Sequence, residues 1–170
     1  MTSHDAVREA ATVKQLELRR HAPRDPSADR LSDAGRARAM EVGREQQDVA
    51  YAAVFVSPAE RAAETVAWFL RGAGQQLPLM HSVVPGLVGK DPSEGSPQGM
   101  ATGMRSLLEQ IPDEGRGLAI SHTPFVERAA LGLTGHEVEP MGECEGLLIT
   151  LRDDGEIEVE ELRLPGSSAR

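Results

Sequence analysis

The sequence predicts a three-layer α/β sandwich, with a mainly parallel central sheet, antiparallel edge strands and helices on both faces. Three observations carry that prediction. Short apolar runs alternate with segments of helical period, the order that builds a parallel sheet with crossover helices. The last two apolar runs flank Asp153-Asp154-Gly155, a tight-turn sequence, and so form a hairpin. The core is aliphatic, because aromatic residues make up only 3% of the 170-residue chain.

The elements follow in order. Gln15-Leu16-Glu17-Leu18-Arg19 alternates as a strand, near 15–20. Ala22 to Asp29 holds two prolines and reads as loop. Leu31-Ser32-Asp33 offers caps for a helix over about 33–47, with Ala34, Ala37 and Met40 on one face. Ala53-Val54-Phe55-Val56 is a strand buried on both faces. Ser57-Pro58 opens the next helix, Ser as cap and Pro at the first helical position, and Gly72 and Gly74 stop it. Leu77 to Val84 holds a third strand. The Gly/Pro/Ser-rich stretch 85–97 is a long loop, of a kind that is usually functional or mobile. Met100, Met104, Leu107, Leu108 and Ile111 form a core-facing helix stripe. Gly117 to Ser121 is the fourth strand, and a helix follows Pro124. Residues 146–151 and 157–160 are the hairpin strands.

Length and composition fit one domain, expected over 14–163, with a polar leader at 1–13 and a disordered tail at 164–170. Net charge is −9, which argues against nucleic acid or an acidic membrane surface as a general partner. Cys144 is the only cysteine, so no internal disulfide forms, as expected in a reducing cytoplasm. The first residues lack the apolar stretch of a secretory signal, and no apolar run approaches the ~20 residues of a membrane span. A cytoplasmic location is the expectation.

In open α/β sheets ligands sit beyond the carboxyl ends of the strands. Three predicted strand ends carry polar sequence: Arg20-His21 after the first, Ser57-Pro58 with Arg61 after the second, and Ser121-His122 after the fourth. Each has an ordinary structural explanation when taken alone: a surface dipeptide, a helix cap with a solvated arginine, a strand end. Together they place two arginines and two histidines at one edge. Imidazole is substantially neutral and nucleophilic at pH 7. Arginine supplies permanently charged, bidentate donors to phosphoryl oxygens. His4 falls in the leader and His136 in a surface loop. None of the five histidines has the close spacing of a metal motif, so no metal is expected.

The ordered set Arg20-His21-Ala22, then Ser57-Pro58-Ala59-Glu60-Arg61-Ala62-Ala63-Glu64-Thr65, then Ser121-His122 resembles the histidine phosphatase superfamily, also called phosphoglycerate-mutase-like. Leu31-Ser32-Asp33-Ala34-Gly35 resembles that family's first-helix start. The resemblance spans about Lys14 to Arg163. It implies that His21 is the nucleophile and becomes phosphorylated, that Arg20, Arg61 and His122 bind the phosphoryl group, and that no cofactor is needed. It also implies a phosphorylated small molecule or a phosphohistidine protein as partner.

Many members carry a glutamate after the third strand as general acid. His81-Ser82-Val83-Val84-Pro85-Gly86-Leu87 has no carboxylate there, and in this it is similar to the short phosphohistidine phosphatases of the family. Phosphohistidine has a nitrogen leaving group and needs less help from an acid than an alkyl ester does. Asp91, Glu94 and His81 stay open as alternative acids. A weakly catalytic phosphate-binding regulatory module and a mutase-type phosphotransferase are the competing readings.

Overall fold

The computed structural model describes residues 13–165. Residues 1–12 of the expected leader, and 166–170 of the expected tail, lie outside the described residues. Six strands form one sheet in the order β3-β2-β4-β1-β5-β6. They are β1 (Lys14–Arg20), β2 (Tyr51–Val56), β3 (Met80–Val83), β4 (Arg116–Ser121), β5 (Gly146–Leu151) and β6 (Ile157–Leu162). The pairs β1–β4, β4–β2 and β2–β3 are parallel, while β5 runs antiparallel to β1 and to β6. This is the expected α/β sandwich with its hairpin at one edge.

Helices α1 (Asp33–Arg44) and α2 (Glu60–Ala73) cover one face. Helix α3 (Pro92–Gly95) is a single turn, and α4 (Pro97–Gln110) and α5 (Phe125–Thr134) cover the other face. Two apolar cores follow. Leu16, Leu18 and Phe55 pack with the predicted Met100, Met104, Leu107, Leu108 stripe of α4 and with Val126 and Ala129 of α5. Val54, Leu118 and Ile120 pack with Val42, Val66, Phe69 and Leu70 on the α1/α2 side.

Several elements differ from expectation for identifiable reasons. Helix α1 starts as predicted, with the Ser32 side chain accepting from Gly35 N at 3.0 Å, but it ends at Arg44 and not near 47. Gly72 does not stop α2; it lies inside the helix, where a Cβ would run into the Met40 carbonyl of α1, and Gly43 of α1 meets the Phe69 carbonyl in the same way. The two glycines let the helices cross closely, and Gly74, at φ 75°, ends α2. The 85–97 loop has structure of its own, a 3₁₀ turn at Pro85–Leu87 followed by α3. Leu164 continues the packing past β6, since its N–H donates to Glu145 at 2.9 Å. Among the described residues no helix is long and apolar enough to cross a membrane.

Alternation along β1 places Leu16 and Leu18 toward α4 and α5, and Glu17, Arg19 and His21 toward α1 and α2. Glu17 is completely buried and Arg19 nearly so. The Glu17 carboxylate accepts from Arg19 Nε, Tyr51 Oη and Arg116, so each buried charge is compensated. Arg19 Nη1 also donates to the Cys144 carbonyl at 2.7 Å, which ties the turn before β5 to the end of β1.

Candidate active site

Parallel register brings the three polar strand ends level. Arg20 pairs with Ser121 across β1–β4, and Val56 pairs with Ile120 across β2–β4. The chain continues that pairing beyond the strands, as His21 N donates to Ser121 O and Ser57 N to Ile120 O. His21, Ser57 and His122 therefore emerge side by side, and the start of α2 brings in Arg61.

His21 is buried, with 6% of its surface exposed. Its Nδ1 lies 2.7 Å from the Ala22 carbonyl oxygen, which only accepts, so Nδ1 carries the proton. That leaves a lone pair on Nε2, and Arg61 Nε donates to it at 3.3 Å. Burial pushes the His21 pKa below the ordinary imidazole value; its hydrogen bond to Ala22 works against this shift, and the charges of Arg61 and Arg20 add to it. The ring is held neutral with one tautomer selected.

His122 is also buried, its ring 5.2 Å from that of His21. Arg61 Nη2 approaches its Nδ1 at 3.2 Å, and because a guanidinium only donates, Nδ1 accepts. Its Nε2–H is thereby directed to Ser57 Oγ at 2.6 Å. Burial, then the neighbouring His21 and Arg61, push the His122 pKa down to about 4.

Ser57 thus serves a different purpose from the predicted cap. Helix α2 begins at Glu60, and its N-cap residue, Ala59, has no side-chain cap. Asp29, from the loop after β1, takes that place: it accepts from Glu60 N at 2.9 Å and from Arg61 N at 3.1 Å. The same carboxylate accepts from Arg61 Nη1 at 2.8 Å, which fixes the guanidinium plane. Thr65, one turn further along, accepts from Ala22 N at 3.0 Å and so pins the backbone beside His21 to α2.

Arg20 approaches from the other side. Its Nη1 donates to the Met141 carbonyl at 2.9 Å, and Nη2 lies 3.7 Å from Glu143. Its Nε is buried without a partner. A buried N–H donor of this kind, beside other cationic groups, can donate to an anion's oxygen. Glu143 and Asp29 are the carboxylates whose charge reaches the two histidines: Glu143 raises the pKa of His21, and Asp29 that of His122.

Sequence reasoning brought out His21, His122, Arg20 and Arg61, and the fold gathers His21, His122 and Arg61 in direct contact with Arg20 beside them. It missed Asp29, Thr65 and Glu143. Thr65 alone had a signal, as the last residue of the Ser57–Thr65 motif.

The acid candidates are placed as follows. His81 is on edge strand β3, three strands from β1, roughly 14 Å away at about 4.8 Å per strand. Asp91 caps α3, accepting from Ser93 N and Ser93 Oγ, and these bonds hold its pKa below the ordinary value, which makes it a poor proton donor. The Glu94 carboxylate lies against Gly86 in a groove lined by Val84, Met100 and Leu107. The segment after β3 is folded down, with Leu87 buried and its carbonyl accepting from Ser121 Oγ at 2.5 Å. Burial raises the Cys144 thiol pKa to about 11, which keeps it inert as a nucleophile. Among the described residues no three His, Cys, Asp or Glu side chains are grouped to hold a metal ion.

Comparison with known proteins bears on the family and the fold. The sequence model of the histidine phosphatase superfamily (branch 1) matches residues 6–87. Comparison with curated protein sequences finds no match. Among solved structures, the protein histidine phosphatase SixA complexed with tungstate superposes with a TM-score of 0.68 at 23% identity, over 87% of this chain and 96% of that one. A phosphoglycerate mutase from Bacillus anthracis gives 0.68 at 14% identity, over 89% and 93%. A putative alpha-ribazole-5'-P phosphatase from Escherichia coli gives 0.66 at 17%, over 89% and 96%. At these identities the structures speak for the fold, and it is the same fold. Over residues 6–87 the sequence is similar to the histidine phosphatase superfamily, and the whole chain shares the fold of these solved structures.

Proposed function

We propose that the chain is a metal-independent phosphatase working through phosphorylation of His21, with phosphohistidine on a protein, or a small phosphomonoester, as substrate. The observation that carries this reading is the His21 ring: Nδ1–H is anchored on the Ala22 carbonyl, and the Nε2 lone pair faces Arg61.

In the first step Nε2 attacks phosphorus in line. The N–P bond forms as the bond to the leaving group breaks, and that bonding pair goes to the leaving atom, which takes up a proton from solvent. The imidazole gains positive charge, and the Ala22 carbonyl stabilises it through Nδ1–H. Arg61 Nε must give up the lone pair for attack to occur, and a phosphoryl oxygen is the natural new acceptor. Arg20 Nε, already unmatched, accommodates a second oxygen. His122 Nδ1 takes a proton from solvent as the dianion binds and donates it to a third, while its Nε2–H stays on Ser57. In the second step water attacks phosphorus, inorganic phosphate leaves, and the pair returns to Nε2. Phosphoryl transfer depends chiefly on positioning and charge stabilisation, which these four residues supply.

The turn after β3 presents no carboxylate, and this favours substrates whose leaving group departs readily, phosphohistidine foremost. Glu143 favours a second reading, a small phosphomonoester, because its carboxylate lies within electrostatic reach of His21. Exposure to an activated phosphate donor separates an enzyme from a binding module: wild type should acquire acid-labile, base-stable label on His21 that chases to inorganic phosphate, undiminished by a chelator. Equal labelling of His21→Ala, or no label at all, would refute the reading.

A further inference from the structure

Glu127 lies in the first turn of α5, shortly after His122, and takes no part in the proposed phosphoryl transfer. Its Oε2 accepts two hydrogen bonds, from Thr123 Oγ1 at 2.6 Å and from Met141 N at 2.9 Å. The first ties it to the turn after β4, the second to the loop before β5. Met141 is buried, and its carbonyl accepts from Arg20 Nη1 at 2.9 Å. A single residue thus has a carboxylate on its N–H and a guanidinium on its carbonyl.

The two charged groups share a second property. Among the described residues, two buried side-chain atoms lack a hydrogen-bond partner, Arg20 Nε and Glu127 Oε1. Both belong to groups bonded to Met141. Opposite charges at the two ends of one buried residue attract across it, and a low local dielectric preserves that attraction. A solvated helix-end glutamate would have neither a buried oxygen nor a bond to a distant loop. The loop has further anchors: Arg163 donates to Glu139 O at 2.8 Å and to Pro140 O at 2.9 Å, and Gly142 N donates to Glu145 Oε1 at 2.9 Å. What falls to Glu127 is the placement of Met141.

We propose that Glu127 is a positioning residue for Arg20, fixing Met141 by its N–H so that Met141 fixes the guanidinium by its carbonyl, a role that rests on the proposed binding of the phosphoryl group by Arg20. With Nη1 held by Met141, the Nε edge keeps the one orientation in which it accommodates a phosphoryl oxygen. Without Glu127, Met141 loses its tether and Nη1 its fixed acceptor. The guanidinium is then drawn toward Glu143, whose Oε2 lies 3.7 Å from Nη2. The two carboxylates act on Arg20 in opposite senses, Glu127 holding it for substrate and Glu143 competing for it.

Sulfate affinity of the full chain, measured by calorimetry in a double-mutant cycle with Arg20→Gln, tests this. Glu127→Ala should weaken sulfate binding about ten-fold, the scale of one charge-assisted hydrogen bond. Glu127→Asp keeps the charge at the helix end but shortens the reach to Met141, and should show a similar loss even if the alanine variant fails to fold. Glu127→Gln removes the charge but keeps an oxygen for Met141 N, and should recover most of the affinity. In the Arg20→Gln background none of these changes should cost much more, because residues that act through one another are not additive. A carboxylate that serves only the α5 N-terminus would lower the melting temperature and leave affinity unmoved. Wild-type affinity in both Glu127→Ala and Glu127→Asp, or equal losses with and without Arg20, would overturn the positioning role alone. Sulfate binding that Arg20→Gln leaves intact would overturn the phosphoryl-binding role of Arg20 and this one with it.

Discussion

Arg61 Nε stands 3.3 Å from His21 Nε2, so the guanidinium rests on the lone pair that the proposed chemistry needs. The same guanidinium reaches Asp29 through Nη1 and His122 through Nη2. A planar fork is thus spread across three partners, and a lysine ammonium cannot reproduce that geometry. Arg61→Lys should lower kcat/KM by about 10²-fold, the scale of losing one charge-stabilising donor. His21→Ala should abolish the phosphoenzyme altogether. Single-turnover labelling checks both; an Arg61→Lys enzyme labelled at the wild-type rate would remove Arg61 from the transition state.

His122 gives a prediction in pH. Its pKa, pushed down to about 4, and the lowered pKa of His21 mean that the folded protein binds fewer protons than the unfolded chain below about 6.5. The stability tied to these neutral rings is therefore present above about pH 6.5 and lost as pH falls toward 4. Thermal melts across that window should decline less steeply for His122→Asn than for wild type. A bound dianion reverses the shift, so sulfate binding near pH 5 should take up protons, less so in His122→Asn. Calorimetry in buffers of different ionisation enthalpy measures this, and binding without proton uptake would contradict the donor role of Nδ1.

Asp29 joins stability to function. It caps α2 from a distant loop and orients Arg61. Removing a helix cap costs about 1 kcal/mol, so Asp29→Ala should lower the melting temperature by a few degrees. A purely structural role would end there. The positioning role predicts in addition that kcat/KM falls in Asp29→Ala well below the melting transition, with partial recovery in Asp29→Asn, which keeps one accepting oxygen. Unchanged kinetics in the alanine variant would confine Asp29 to capping.

Much of this was legible in the sequence because the polar residues of interest directly follow apolar runs. Val54 to Val56 and Gly117 to Ile120 announce buried strands, and whatever follows a buried parallel strand emerges at the ligand-binding end. The rest depended on contacts that local pattern does not encode. Leu16-Glu17-Leu18-Arg19 alternates like a strand with one wet face, yet α1 and α2 cover that face, and Glu17 and Arg19 survive burial by neutralising each other. Ser57-Pro58 has the composition of a helix start, but the seryl oxygen is taken by His122, a partner made available only by β2–β4 register. Asp29 and Glu143 sit in loops whose proximity to the histidines comes from the fold alone.

Glu143 is the carboxylate beside Arg20, and under the proposed function it competes with substrate for that guanidinium. Its Oε2 lies 3.7 Å from Arg20 Nη2, it is partly exposed, and its charge raises the pKa of His21. The turn that bears it is fixed, since Cys144 N donates to the carbonyls of Arg20 and His21. A partly exposed pair of this kind is worth roughly 0–1 kcal/mol, so Glu143→Gln should tighten sulfate binding by at most about five-fold. Removing the charge should also shift the acidic limb of the His21 phosphorylation rate to lower pH. Aryl phosphate turnover tells this role from acid catalysis. If Glu143 only screens Arg20, aryl and alkyl phosphates gain alike in Glu143→Gln. If it protonates the leaving group, alkyl ester turnover falls while aryl and phosphohistidine turnover hold. Weaker sulfate binding in the variant would show that Glu143 supports Arg20 instead of competing for it.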